Sequence, residues 1–325
     1  MKAVTHQEIS RQYGQGRLVC PVCAKPFPLP EDAQPLASAK CPACGCPVFV
    51  PMQLGKYLLC GILGEGGMGS VYDAVDPAAP AQRLAVKLLS REARERPDNI
   101  LALLNESRIA ALFTDSDFTV GCLDSGLVDG EYFSVSPFIE GERLDNRVSR
   151  LGHVSEADTQ KIALHLLAAE QHIFRKGYLF RDMKPENVII NRYGYAVLID
   201  FGLCKSLADA AGGGDTFIAG SPYYIPPERL LGEGEDASSE IYSIGMVMYY
   251  AITGQNYFNA DEIGALAKRH VSGLRLSNAG KMDGFTPSLA ELMDLMIRQD
   301  KRERPQDFLS VAKRLVEIGP ELKRK

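Results

Sequence analysis

Two things are scarce in this sequence: an excess of positive charge, and any apolar run long enough to cross a bilayer. Lys and Arg number 36 against 41 Asp and Glu, a net charge of −5 over 325 residues. That balance gives no electrostatic footprint for a phosphate backbone, so nucleic acid is not an expected partner. The most continuous apolar stretch, Tyr242 to Ile252, falls short of the roughly 20 residues a spanning helix needs and reads as a buried helix. No signal-peptide or lipidation pattern is present, so no membrane association is expected and the cytoplasm is the expected compartment. The basic clusters Lys301-Arg302 and Lys323-Arg324-Lys325 read as solvated helix faces.

Cysteine is not scarce, but it is unevenly spread. Five of the eight fall in the first fifty residues. Cys20-Pro21-Val22-Cys23 and Cys41-Pro42-Ala43-Cys44-Gly45 form C-x2-C twice, at a spacing suited to four thiolates around one tetrahedral ion. Structural Zn²⁺ bound by Cys20, Cys23, Cys41 and Cys44 is the reading preferred over two disulfides, because nothing points to an oxidising compartment. Cys46, Cys60, Cys122 and Cys204 read as spectator or buried thiols, and His6 lies too far upstream to replace a ligand. With little apolar periodicity, residues 1–50 are expected to form a zinc-ribbon module that depends on its metal. A linker is expected over 51–56. Chelation should then unfold the ribbon and leave the rest of the chain folded.

Leu63-Gly64-Glu65-Gly66-Gly67-Met68-Gly69-Ser70-Val71 fits G-x-G-x-x-G-x-V. Glycines let backbone amides approach phosphate oxygens with no Cβ between them. A dinucleotide fold shares the first six positions, but needs a helix immediately afterwards. Here the flanks Leu58-Leu59 and Val71-Tyr72 read as strands, so the glycines close a hairpin. Next, Leu84-Ala85-Val86-Lys87-Leu88-Leu89 places one lysine inside an apolar strand, where a phosphate contact is favoured over a solvated edge. Its ion-pair partner should be Glu106, the one acid well inside the helix expected from Ile100 to Phe113. Further on, Arg181-Asp182-Met183-Lys184-Pro185-Glu186-Asn187 gathers a proton acceptor, a cation and a neutral metal ligand on one short loop. Asp200-Phe201-Gly202 adds the anionic ligand a hard cation such as Mg²⁺ prefers. That is equipment for moving a phosphoryl group.

In this order, the motifs make the chain from about Leu54 to about Leu315 resemble the Hanks-type serine/threonine protein kinases, closest to their bacterial branch. The resemblance implies an α+β bilobal fold, with a β-rich N-lobe over about 57–139 and a helical C-lobe over about 140–318. A basic tail over 319–325 would follow, and the small zinc ribbon would precede the lobes. ATP and Mg²⁺, with Mn²⁺ as an alternative ion, would occupy the cleft. By the same resemblance Asp182 is the catalytic base, Lys184 sits beside the transferred phosphate, and Asn187 and Asp200 hold Mg²⁺. Lys87 and Glu106 hold the α- and β-phosphates. Residues 63–71, with Ser136 as gatekeeper, Pro137 and Ile139, would contact ATP. Ser221, in Gly220-Ser221-Pro222-Tyr223-Tyr224, would contact the catalytic loop. Glu228 of Pro226-Pro227-Glu228 would pair with Arg304. The R-D-x-K-P-x-N form at Lys184 implies serine/threonine specificity.

Two departures from the family pattern bear on activity. Phe180 replaces a histidine before Arg181, keeping packing on Phe201 while losing a polar contact. Glu240 replaces an aspartate that anchors the catalytic loop from a buried helix. The expected function is an ATP- and Mg²⁺-dependent protein kinase that also phosphorylates itself. A pseudokinase scaffold, binding nucleotide or a partner without transfer, is the alternative. Arg181 is expected to pair with a phosphate on Thr216, which follows the glycines 212–214 in the activation segment. The ribbon could additionally dock a partner.

Overall fold

The computed structural model describes residues 4–214, 220–260, 262–272 and 281–322. The chain divides into two compact units: residues 1–111 with 121–138, and residues 112–120 with 139–325.

The first unit opens on helix α1 (His6–Tyr13), whose first turn is capped by Thr5 Oγ1 accepting from the Glu8 amide. Two small hairpins follow. β1 (Arg17–Val19) pairs with β2 (Pro26–Pro28), and β3 (Ser38–Lys40) pairs with β4 (Pro47–Phe49), both antiparallel. Leu18, Phe27, Val48 and Val50 form a small core with Cys20 and Cys41. β5 (Met52–Leu54) then pairs with β6 (Tyr57–Gly66), followed by β7 (Gly69–Val75) and β8 (Arg83–Leu89). Helices α2 (Arg91–Arg94) and α3 (Pro97–Ala110) precede β9 (Asp124–Val128) and β10 (Glu131–Pro137). The six-stranded sheet runs β5-β6-β7-β8-β10-β9. Alternate residues of its central strands, among them Leu59, Ala74, Val86 and Val135, are buried to near completeness.

Two expectations change here. Residues 51–56 are not a linker: Met52–Leu54 forms the edge strand, with Leu54 buried in the sheet's core. A three-residue strand carries too little alternation to be read from sequence. Nor are the first fifty residues packed apart from the sheet. Ile9 and Tyr13 of α1 lie on Leu58, Cys60 and Val75, and Leu36, Phe49 and Met52 pack on the main core. His6 Nε2 meets Asp73 Oδ2 at 2.8 Å, while Arg83 donates to both oxygens of the same carboxylate at 3.1 and 2.7 Å.

The second unit is mainly helical. β11 (Gly141–Arg143) pairs with β13 (Val188–Asn191), which pairs with β14 (Ala196–Leu198). Between these lie α4 (Leu144–Leu151), the 20-residue α5 (Glu156–Arg175) and β12 (Tyr178–Leu179). α5 is capped at its start, with Ser155 Oγ accepting from the Asp158 amide. β15 (Lys205–Ser206) pairs with β12 and leads into α6 (Leu207–Ala211) and α7 (Pro227–Leu230). α8 (Ala237–Thr253) starts on a capping box between Asp236 and Ser239 and is buried on nearly every side, as its apolar sequence implies. α9 (Ile263–Val271), α10 (Pro287–Met296) and α11 (Phe308–Leu322) complete the unit, with α11 and α8 both packed against α5. Among the described residues, no helix is long and apolar enough to cross a membrane.

Candidate active site

In the first unit the glycine-rich segment is a hairpin, β6 to β7, closing with Gly66 opposite Gly69. Gly69 is required by the protein's own packing, since a Cβ there would lie 1.9 Å from the Leu88 carbonyl oxygen. Gly64 and Gly67 are different: a Cβ at either meets nothing within 4 Å, and at Gly66 nothing nearer than 3.7 Å. A side chain at these three positions would meet no crowding from the chain itself, and their bareness leaves the backbone open to close approach. Leu63, Glu65, Met68, Ser70 and Val71 lie on the same hairpin. Lys87, opposite Val71 and Ser134 on neighbouring strands, reaches Glu106 of α3, Nζ to Oε2, at 2.7 Å. The structure thus brings together the lysine and the acid chosen from sequence. Ser136 and Pro137 end β10, where the Ser136 hydroxyl donates to the Ala85 carbonyl at 3.5 Å, and Ile139 belongs to the second unit.

The second unit holds the other group. Asp182 and Asn187 are buried, 6% and 4% exposed. One Asp182 oxygen, Oδ2, accepts from Lys184 Nζ at 2.7 Å and from Asn187 Nδ2 at 2.7 Å. The other, Oδ1, is buried without a hydrogen-bond partner among the described residues. Asn187 Nδ2 also donates to the Asp182 carbonyl, which leaves the amide oxygen as the end available to a cation. Asp200 is exposed, and its Oδ1 accepts from the Gly202 amide. Arg181 and Asp200 both adopt left-handed backbone, with φ of 68° and 67°. Non-glycine residues there cost about 1–2 kcal/mol each, and such strain collects at functional sites. Phe180 packs edge-on to Phe201 at 5.5 Å, with Phe113 against the opposite partner ring at 5.2 Å.

What holds this loop is a cluster the sequence only half revealed. Glu240 Oε1 accepts from the Arg181 amide at 2.9 Å, the anchoring contact expected of it. Arg181 Nε and Nη2 both donate to Glu235 Oε1, whose second oxygen accepts from Arg229 Nε at 2.7 Å. Arg229 Nη1 donates in turn to the Arg181 carbonyl. Beneath them Glu170 of α5 is fully buried. Burial pushes Glu240 up to about 7, although Arg229 opposes it. Burial and the facing Glu240 raise Glu170 well above the ordinary carboxylate range. Glu170, Arg229 and Glu235 were not singled out from sequence. An acid among Leu166, Leu167, Ala169 and Ile173 on a helix's buried face was the one available signal.

Glu228 and Arg304 make the expected pair, bidentate at 2.8 and 2.9 Å and fully buried. Ser221 is less engaged than expected. Its carbonyl accepts from the Tyr224 amide, but no hydrogen bond from its hydroxyl to loop 181–187 is present among the described residues. Thr216 lies outside the described residues.

The sulfurs of Cys20, Cys23, Cys41 and Cys44 lie within 4.8 Å of one another. Cys20 to Cys44 is 3.5 Å and Cys23 to Cys41 is 3.8 Å. Four ligands about 2.3 Å from one tetrahedral ion stand about 3.8 Å apart, so the cluster fits zinc. Both knuckles share one backbone design. The Cys20 amide donates to the Lys25 carbonyl and the Cys41 amide to the Cys46 carbonyl, with Ala24 and Gly45 at φ of 56° and 75° closing each turn. The Cys23 amide, helped by that of Val22 against the cost of burial, pulls the Cys20 thiol down to about 6, toward the thiolate a metal needs. Cys44 moves the other way. The Cys46 amide favours its thiolate, but the facing Cys20 sulfur and burial outweigh that. We read the pair as one thiolate facing one thiol, the state expected of close sulfurs before a cation joins them.

Comparison with known proteins agrees with this geometry. The model for the protein kinase domain matches residues 57–316. This chain belongs to the protein kinase domain family. Among curated relatives, the serine/threonine-protein kinase PksC of Streptomyces coelicolor is 29% identical over 261 residues, covering 77% of this chain and 46% of that protein. PknH of Mycobacterium tuberculosis is 28% identical over 258 residues, 79% of this chain and 40% of that protein. The probable serine/threonine-protein kinase pknA2 of Bifidobacterium longum is 26% identical over 270 residues, 82% and 36% respectively. The kinase chain described here thus spans less than half the length of these relatives. Lys87 with Glu106 in the first unit, and Asp182 with Asn187 in the second, both fall within the matched region.

Proposed function

We propose that this protein is a serine/threonine kinase that transfers the γ-phosphoryl group of ATP to protein hydroxyls. The observation that carries this is the division of labour at Asp182. Lys184 and Asn187 occupy Oδ2, while Oδ1 is a buried acceptor with no donor among the described residues. A buried unpaired carboxylate oxygen is costly unless a ligand completes it, and a substrate hydroxyl is the donor that would do so. In the proposed step the hydroxyl oxygen forms a bond to the γ-phosphorus and the bond to the β-bridging oxygen breaks. The hydroxyl proton passes to Asp182, and ADP leaves. Lys184 neutralises charge on the transferring group, and Lys87, oriented by Glu106, holds the α- and β-phosphates. Asn187 and Asp200 would hold Mg²⁺, which would supply further charge neutralisation.

Serine/threonine specificity rests on Lys184 in its motif and on the relatives' being named serine/threonine-protein kinases. Residues 63–71, Ser136, Pro137 and Ile139 would line the nucleotide, Cys20, Cys23, Cys41 and Cys44 would hold Zn²⁺, and the protein would work in the cytoplasm. Autophosphorylation at Thr216, with Arg181 as its partner, is part of the same proposal. Since Arg181 already serves Glu235, the phosphate would join that cluster rather than meet an idle cation. Incubation with labelled ATP and Mg²⁺, followed by phosphosite mapping, tests the reading. Transfer to serine or threonine that is lost in Asp182→Asn supports it. Nucleotide binding without transfer to itself or to any generic acceptor would leave the scaffold alternative standing.

A further inference from the structure

Two carboxyl groups meet beneath the 181–187 loop, one from each of the longest helices of the second unit. Glu170 on α5 and Glu240 on α8 are 0% and 1% exposed, and their side chains face one another within hydrogen-bonding reach. Glu240 Oε1 is taken by the Arg181 amide. Among the described residues, the remaining three oxygens, Glu240 Oε2 and both of Glu170, have no N–H or hydroxyl donor. Three buried acceptors without a donor are not tolerable as two carboxylates. A proton on the pair itself is the donor left to them.

Charged groups act on the pair from each side: Arg229 of α7 on both acids, Glu235 ahead of α8 on Glu240, and Arg181 of the loop through its amide. Among the described residues, Glu240 and Arg229 are the charged groups that act on Glu170.

We propose that Glu170 is a positioning residue for the transfer loop. It and Glu240 share a single proton, and the resulting O–H···O hydrogen bond fixes Glu240 where its other oxygen accepts the Arg181 amide. Because Arg181 adjoins Asp182, the shared proton orients the base without touching substrate. Loss of the proton sets two anions against each other, and the side chain free to withdraw is the one anchoring the loop. The loop therefore loosens as pH rises.

Stability changes with pH in the same sense. In the unfolded chain both carboxyls release their protons near the ordinary value of 4.5. In the folded state Glu240 is raised to about 7 and Glu170 well above the ordinary carboxylate range, both chiefly by burial. Across that window the folded state binds more protons than the unfolded one, so stability falls as pH rises.

The turnover part of this inference rests on the kinase reading, and the proton itself does not, so the test has separate arms. Infrared difference spectra of the full chain at pH 7 should contain a protonated-carboxyl band, since exposed carboxyls are ionised and silent there. Glu170→Gln should remove it. The same variant, which keeps a donor toward Glu240 but cannot ionise, should flatten the decline of Tm between pH 5 and 8. Glu170→Leu, similar in bulk but without a donor, should lower kcat about tenfold, the scale of one lost hydrogen bond, with KM for ATP unchanged. Gln should restore most of that loss. Absence of a band sensitive to Glu170→Gln, with wild-type pH dependence of Tm in that variant, would overturn the proposal. Equal kcat in wild type and Glu170→Leu would overturn the positioning role even if the band were found. A wild type that transfers no phosphate would count against the kinase reading alone, with the band still deciding the shared proton.

Discussion

At Asp182 the geometry separates two jobs that a carboxylate performs with different oxygens. Oδ2 is held in place by Lys184 and Asn187, and Oδ1, without a donor among the described residues, is the oxygen proposed to meet the substrate hydroxyl. Asp182→Asn should preserve the packing and ATP binding while lowering kcat by about 10²–10⁴-fold, because an amide cannot take the proton. Isothermal titration alongside a turnover assay would separate the two effects. Asp200→Ala should instead weaken Mg·ATP binding along with turnover, since it removes an anionic ligand. The glycines make a second contrast at this scale. Gly69→Ala collides with the Leu88 carbonyl and should lower Tm, whereas Gly67→Ala has open space and should leave Tm near wild type while raising KM for ATP. Equal Tm losses in the two variants would contradict this division. Much at this scale was legible beforehand. Asp182, Lys184, Asn187, Lys87 and Glu106 each carry a chemistry that few residue types supply, at a spacing a loop or strand enforces. Glu170 and Glu235 were not legible, because their partners lie 70 and 54 residues away along the chain.

At the scale of elements, the helices of the second unit are tied together by buried charge as well as by apolar contact. Arg304 bridges the start of α7, through Glu228, and the carbonyls of Ser238, Arg298 and Gln299. Arg304→Met would leave the Glu228 carboxylate buried without its partner. Such losses cost about 3–5 kcal/mol, so the variant should unfold at markedly lower denaturant than wild type, a difference read directly from the midpoint. The link between α1 and the sheet is weaker in kind. His6 meets Asp73 on β7, but Arg83 already satisfies that carboxylate from β8. His6→Ala should therefore cost little by itself. Tyr13→Ala, which removes ring contact with Leu58, Cys60 and Val75, should cost more and expose α1 to proteolysis. At the end of β10, Ser136→Phe should block inhibitors carrying a bulky group that wild type accepts, and unchanged inhibition would show that Ser136 does not adjoin the adenine site.

For the molecule as a whole, the cysteine cluster is joined to the β-sheet unit rather than appended to it. Phe49 is the last residue of the second knuckle's hairpin and packs on Tyr72 of β7, with ring centroids 6.3 Å apart. β5 continues from that hairpin into the sheet. Purified protein should carry about one Zn²⁺ per chain, measurable by elemental analysis. Chelation should then lower the thermal stability of the first unit along with the ribbon, in contrast to the sequence expectation that the rest of the chain would be indifferent. Hydrogen exchange would decide this: after zinc removal, amides of β5, β6 and β7 should lose protection while those of α8 keep it. Unchanged protection across the sheet would restore the picture of an autonomous ribbon.

The sequence by itself determined which chemistries this protein carries. Two C-x2-C pairs, a glycine hairpin, a strand lysine and the D-x-K-x-x-N loop are local patterns, set by spacing along a few residues, and their neighbours on the chain are their neighbours in space. The buried run Tyr242 to Ile252 was likewise readable, since a segment apolar on all sides has no solvent face to present. Tertiary structure alone decided how those pieces are supported. That α1 and the ribbon share a core with the sheet follows from single residues, Ile9, Tyr13, Leu36 and Phe49, too sparse to form a periodic signal. That Glu170 and Glu240 face one another follows from the packing of α5 on α8. An acid's consequences depend on whether water can reach it, and only the fold sets that.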